Sequence, residues 1–66
     1  MSAVTKNYSF DKVSEETVKI VVNVQSGGRE DCAGWYIRNG EIVGHVWENQ
    51  PNYKLPKHAL QTANNL

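Results

Sequence analysis

The sequence predicts a mainly β protein, a β-rich α+β fold built as a small antiparallel meander of three or four strands with a short C-terminal helical turn. Three observations support this. Val and Ile together number eleven against three Leu, and β-branched side chains favour a pleated surface over a helix. Residues 17–25 alternate between apolar and polar positions, as a half-buried strand does. Asn39 and Gly40 are the residue pair most typical of a tight hairpin.

The string TVKIVVNVQ, residues 17–25, predicts the central strand. Its alternation directs one set of apolar side chains to the core: Val18, Ile20, Val22 and Val24. Gly27 and Gly28 are followed by three charged residues, which predicts a flexible loop through residue 31. The next strand is therefore expected to begin near Cys32.

A type I′ turn at Asn39-Gly40 fixes the expected register of the second hairpin, because a two-residue loop leaves only one way to count the pairs. The predicted pairs are Arg38 with Glu41, Ile37 with Ile42, Tyr36 with Val43, Trp35 with Gly44, Gly34 with His45, Ala33 with Val46, and Cys32 with Trp47. This register predicts a core face of Ala33, Trp35, Ile37, Ile42 and Val46, with Gly44 leaving room for the Trp35 indole.

The flanking segments complete the meander. Residues 7–13 predict a short strand with Tyr8 and Phe10 on one side, followed by a polar turn at residues 14–16. Residues 49–55 contain Pro51 and predict a loop. Pro56 favours the first turn of a short helix that extends through residues 60 and 63. All 66 residues form one predicted domain, with fraying expected at residues 1–6 and 62–66.

Charge and composition exclude several classes of protein. Seven basic and seven acidic residues give a formally neutral chain, without the positive field that nonspecific DNA or membrane binding usually needs. Apolar runs such as Ile20–Val22 are far shorter than the roughly 20 residues of a membrane span. Residues 1–12 lack the apolar segment of a secretory signal. The single Cys32 removes any intramolecular disulfide and favours a reducing cytoplasm.

No set of residues predicts an active site or a metal site. Cys32 and His45 are expected on the same sheet face as a diagonal pair, about 7 to 8 Å apart, which is too far for a thiolate–imidazole pair. Cys32, His45 and His58 follow one another at intervals of thirteen residues, whereas zinc motifs place ligands in close local pairs. The sequence therefore predicts a noncatalytic protein without a cofactor or metal.

The second face of the hairpin predicts a binding surface. It carries the aromatic residues Tyr36 and Trp47, and aromatic side chains commonly dominate the binding energy of protein interfaces. Tyr53 follows in the adjacent loop. We therefore expect a small cytoplasmic regulator or inhibitor that binds another protein, or a second copy of itself, through Tyr36, Trp47 and Tyr53.

A nucleic-acid-binding sheet is the alternative. No acidic residue follows Glu48, so the C-terminal quarter has a local charge of +2 from Lys54 and Lys57. Together with Arg38 and the aromatic residues, these cations predict a surface that stacks on bases and pairs with phosphates.

Overall fold

The computed structural model describes residues 4–66, which form four strands and one helix. The strands are β1 (Val4–Lys12), β2 (Thr17–Ser26), β3 (Arg29–Arg38) and β4 (Glu41–His45), and the helix is α1 (Lys57–Asn64). The strands form one antiparallel sheet in the order β1-β2-β3-β4. This confirms the predicted meander. Within residues 4–66, no helix has the length and apolar character needed to cross a bilayer.

Alternation along β2 places its apolar side chains under the helix, as predicted. The four core positions are Val18, Ile20, Val22 and Val24. Ala33, Trp35 and Ile37 of β3 join them, because the registers Val22 with Ala33 and Ile20 with Trp35 bring these residues to the same face. The centre of the core therefore lies between β2, β3 and α1.

Helix α1 covers this face through small residues. Ala59 and Ala63 are buried and lie one turn apart, so their short side chains let the helix approach the sheet closely. Leu55 is buried just before the helix, and Leu60 packs at its border. The helix begins at Lys57, one residue after Pro56, close to the predicted start.

The β2–β3 connection is shorter than the sequence predicted. Gly27 and Gly28 both have positive φ, 55° and 80°, and two such residues form a tight turn whose twist matches the strands. Ser26 therefore pairs directly with Arg29, and β3 begins at Arg29. The predicted start near Cys32 is wrong, because the charged side chains of residues 29–31 are exposed to water and do not prevent pairing next to the turn.

The Asn39-Gly40 turn is confirmed, with φ of 54° and 77° at its two residues. The predicted pairs Arg38 with Glu41 and Ile37 with Ile42 are present. A β-bulge then interrupts the ladder between Tyr36 and Ile37. Beyond it Tyr36 opposes Gly44 and Trp35 opposes His45. The remaining predicted pairs are wrong, because one extra residue, Val43, shifts every later position of β4 to the other face.

No residue of β4 is buried in the core: Ile42 keeps its predicted place opposite Ile37 but is exposed at the sheet edge, and the shift moves Val46 to the other face. Ile42 is 47% exposed and Val43 is 58% exposed. Val46 packs against Gly34 instead of the core. Gly44 leaves room for the ring of Tyr36, not for that of Trp35. The predicted core face is thus correct for its β3 members and wrong for Ile42 and Val46.

The first strand is longer than predicted, since it runs from Val4 to Lys12. Tyr8 and Phe10 lie on the core side, as predicted, and pack against the core. The polar turn is closed by the Ser14 hydroxyl, which accepts hydrogen bonds from the backbone N–H groups of Glu16 and Thr17. Residues 4–6 belong to β1 and residues 62–64 to α1. The fraying expected at residues 1–3 lies outside the described part of the chain.

Candidate functional site

The sheet surface opposite α1, here called the open face, carries the candidate site. No strand or helix formed by residues 4–66 packs over it. Its centre consists of Val21 on β2, Tyr36 on β3, and Val46 and Trp47 just after β4. Trp47 is 42% exposed, so a large aromatic surface remains in contact with water.

Gly34 sets the position of Val46 and Trp47. A Cβ atom at Gly34 would lie 2.6 Å from Val46 Cγ2 and 3.2 Å from Trp47 Cζ3. The glycine therefore allows the segment after β4 to lie directly on the sheet. The backbone N–H of Val46 donates to the carbonyl oxygen of Gly34 over 3.0 Å, which continues the strand pairing by one residue.

Gln50 holds the turn that follows. Its side-chain oxygen accepts hydrogen bonds from the backbone N–H of Gly34 at 3.0 Å and of Trp47 at 3.3 Å. The side-chain amide of Gln50 thus takes the place of a strand partner for the Gly34 N–H and also holds the backbone of Trp47 in position. The sequence gives no local signal for this role, because residue 50 lies sixteen positions from Gly34.

Tyr36 lies on the open face two residues along β3 from Gly34, over which Trp47 packs. It is half-buried, flanked by Lys19 on β2 and Gly44 on β4. Gly44 leaves space beside the Tyr36 ring, since a Cβ atom at Gly44 would lie 3.7 Å from Tyr36 Cδ2. The structure therefore brings two of the three predicted partner-binding residues to one face.

Tyr53 lies on the other side of the sheet. It packs against the core, and its hydroxyl donates a hydrogen bond to Asp31 Oδ2 over 3.3 Å. Asp31 opposes the core residue Val24, which places this pair on the helix side. Desolvation and the Asp31 carboxylate raise the pKa of Tyr53, and Arg29 partly opposes them. The three aromatic residues therefore do not form a single surface.

The residues predicted for nucleic-acid contact are separated as well. Arg38, at the end of β3, forms an ion pair with Glu16 at 2.6 Å. Lys54 and Lys57 are exposed in the loop before α1 and at the start of the helix. The sheet stands between Arg38 on the open face and the helix that Lys57 begins.

The structure also separates the three residues considered for chemistry. Cys32 is exposed on the open side of β3. The bulge places His45 opposite Trp35 on the helix side, so the prediction that Cys32 and His45 share a face is wrong. His58 packs edge-on against the ring of Tyr8, with centroids 6.1 Å apart. Residues 4–66 contain no group of three side chains arranged to hold a metal ion.

A second feature lies at the edge of the sheet beside Trp47. A cavity of about 630 Å³, here called the edge groove, runs between the first half of β3 and the turn after β4. Its lining residues are Glu30, Asp31, Cys32, Val46, Trp47, Glu48, Asn49, Gln50 and Pro51. The sequence did not predict this groove, because the groove depends on the residue at which β4 ends.

Comparisons with models of protein families, with curated proteins and with solved structures gave no match.

Proposed function

We propose that this protein is a small noncatalytic binding module that contacts another protein through its open face. The observation that carries the proposal is the uncovered aromatic surface formed by Tyr36 and Trp47 beside Val21 and Val46. Exposed apolar surface of this kind is typical of interaction sites. Tyr36 and Trp47 supply the anchors, since Tyr and Trp are enriched among the residues that dominate binding energy.

A regulatory or inhibitory role fits a module that acts by occupying a surface, and the partner is another protein or a second copy of this chain. Two copies meeting through their open faces would cover Tyr36 and Trp47 in both. The single Cys32, exposed on the sheet, is compatible with a reducing cytoplasm. Tyr53 is not assigned to this contact, because it is engaged by Asp31 on the opposite side.

Site-specific photo-crosslinking in the cells that make the protein tests this proposal. A benzophenone amino acid is placed at position 36 and, as a control, at position 61 on the exposed side of α1. A discrete crosslinked polypeptide from position 36 alone supports the proposal. Equal yields from both positions would contradict it, and a crosslink to nucleic acid would favour the alternative class.

Sedimentation equilibrium over a hundredfold concentration range identifies the homodimer. If two copies meet through the open face, Tyr36→Ser and Trp47→Ser weaken self-association, whereas Val4→Ser on β1, the opposite edge of the sheet, leaves it unchanged. Val4 is a matched control because it is apolar and 58% exposed. Association through aromatic surfaces also changes little with salt, in contrast to nucleic-acid binding.

A further inference from the structure

The edge groove exposes a stretch of β3 backbone that lacks a neighbouring strand. β4 ends at His45, opposite Trp35, whereas β3 extends back to Arg29. Gly34 is the last residue on this side with both backbone groups bonded, to Val46 and to Gln50. From Gly34 towards Arg29, no strand within residues 4–66 pairs with this side of β3.

The direction of the free backbone groups follows from the antiparallel pattern. Alternate residues of a strand direct both N–H and C=O to the same side, and Gly34 directs both towards β4. Cys32 and Glu30 therefore direct their N–H and C=O groups into the edge groove. Within residues 4–66 no loop or side chain donates to or accepts from these four groups. These unpaired N–H and C=O groups can form backbone hydrogen bonds with one additional strand.

The groove also provides a wall for the side chains of an added strand. Val46, Trp47 and Pro51 lie along its far side, and the volume of about 630 Å³ falls within the range of ordinary ligand sites. By contrast, the outer edge of β1 carries Lys6 and Lys12, and charged residues on an edge strand oppose the addition of another chain. The β1 edge of the sheet is therefore protected against an added strand, whereas the edge at the groove is not.

Charge specifies the occupant. Three carboxylates line the groove, those of Glu30, Asp31 and Glu48, and no Lys or Arg is among the lining residues. Arg29, at the start of β3, lines a separate cavity beside the Gly27-Gly28 turn. An incoming segment with Lys or Arg at alternate positions is thus complementary to the groove. When its basic residues face the helix side, where Asp31 lies, the apolar residues between them face the open side and reach Trp47.

We propose that the edge groove binds an extended, basic segment of a partner protein, which adds to the sheet as a strand beside residues 30–32 of β3. This mode of recognition takes affinity from backbone hydrogen bonds and specificity from alternate side chains. The inference goes beyond the open-face contact, because the groove follows the sheet edge and does not include Tyr36.

Titration of the ¹⁵N-labelled full-length chain with an acetylated, amidated hexapeptide of alternating lysine and valine tests the proposal. We expect the largest shift changes at the amides of Glu30 and Cys32 and at the Trp47 indole, with slower hydrogen exchange at those two amides. The same peptide N-methylated at alternate residues keeps its charge and loses backbone donors, so we expect at least tenfold weaker binding.

Two pairs of charge variants separate the groove from general attraction. The double variant Glu30→Gln with Glu48→Gln should lower the affinity for the peptide by about fivefold. Glu15→Gln with Glu41→Gln removes the same charge from exposed positions outside the groove and should leave affinity unchanged.

The proposal is overturned if the N-methylated peptide binds equally well, if both charge pairs have equal effects, or if the lysine–valine peptide fails to bind at millimolar concentration. Concentration-dependent protection of the Cys32 amide without peptide would show a second copy in the groove, which also overturns it. Tyr36→Ser should leave peptide binding unchanged, so failure of the open-face contact and failure of this inference are distinguishable.

Discussion

Gly34→Ala is the most direct perturbation of the surface around Trp47. The added Cβ would lie 2.6 Å from Val46 Cγ2 and 2.8 Å from Val46 Cβ. Ordinary contact begins at 3.4 Å, so Val46 must retreat by about 0.8 Å. Movement of the side chain alone is insufficient, because Val46 Cβ is attached directly to the backbone.

The expected loss in free energy of unfolding combines two effects. Overpacking by one methyl group typically costs about 1 to 3 kcal/mol. Lifting the segment also strains the bonds from Gly34 and Trp47 to Gln50, each worth about 1 kcal/mol net. We expect Gly34→Ala to lower the free energy of unfolding by about 2 kcal/mol, which is a large fraction of the total stability of a domain of this size.

Urea unfolding followed by circular dichroism measures this loss, and Gly44→Ala is the matched control. A Cβ at Gly44 would lie 3.7 Å from Tyr36 Cδ2, in ordinary contact. Its stability should stay constant or rise by up to about 1 kcal/mol, since alanine restricts the unfolded chain. If Gly34→Ala proved as stable as Gly44→Ala, the close packing of Val46 on the sheet would be refuted.

Three further predictions concern the core, the turn and the titration of one tyrosine. Trp35 is 3% exposed, so Trp35→Ala should lower the free energy of unfolding by about 3 to 5 kcal/mol. Trp47→Ala should lower it by less than about 2 kcal/mol. Equal small losses for the two variants in urea unfolding would contradict the division into core and open face. Gly40 has a φ of 77°, so Gly40→Val should cost at least about 1 kcal/mol, and an unchanged urea midpoint would refute the turn. The pKa of Tyr53 is raised above its usual 10.0, so the folded state holds this proton more tightly than the unfolded state. Its contribution to stability is present below pH 10 and is lost as the pH rises through the folded pKa. Tyr53→Phe should flatten the alkaline decline in urea unfolding, Asp31→Asn should lower the Tyr53 pKa in an ultraviolet titration, and an unaltered decline would show that Tyr53 does not contribute.

The elements that sequence analysis predicted correctly have strong local signals. Alternation fixed the face of Val18 and its neighbours in β2, and Asn39-Gly40 fixed the second hairpin turn. The bulge lacked such a signal, because Ile42 and Val43 are both β-branched and apolar and fit either register. The deciding contacts are nonlocal: Val46 fits against Gly34, and Gln50 replaces a strand partner.

The candidate site was likewise predictable only where its residues lie on the β-hairpin. Tyr36 and Trp47 share a face, as expected, whereas Tyr53 follows a loop without periodicity, and its position depends on Asp31. The edge groove depends on the point where β4 leaves the sheet, which residues 41–45 alone do not reveal.

The placement of the core within the chain has a consequence for folding. Of the ten buried apolar residues among residues 4–66, seven belong to the β2–β3 hairpin: four in β2 and three in β3. This hairpin closes over a two-residue turn, so its two strands meet at a small cost in loop entropy. Local pairing of this kind favours fast folding. We therefore expect the β2–β3 hairpin to form the folding nucleus, with β1 and β4 adding to its two sides and α1 docking onto a face already assembled.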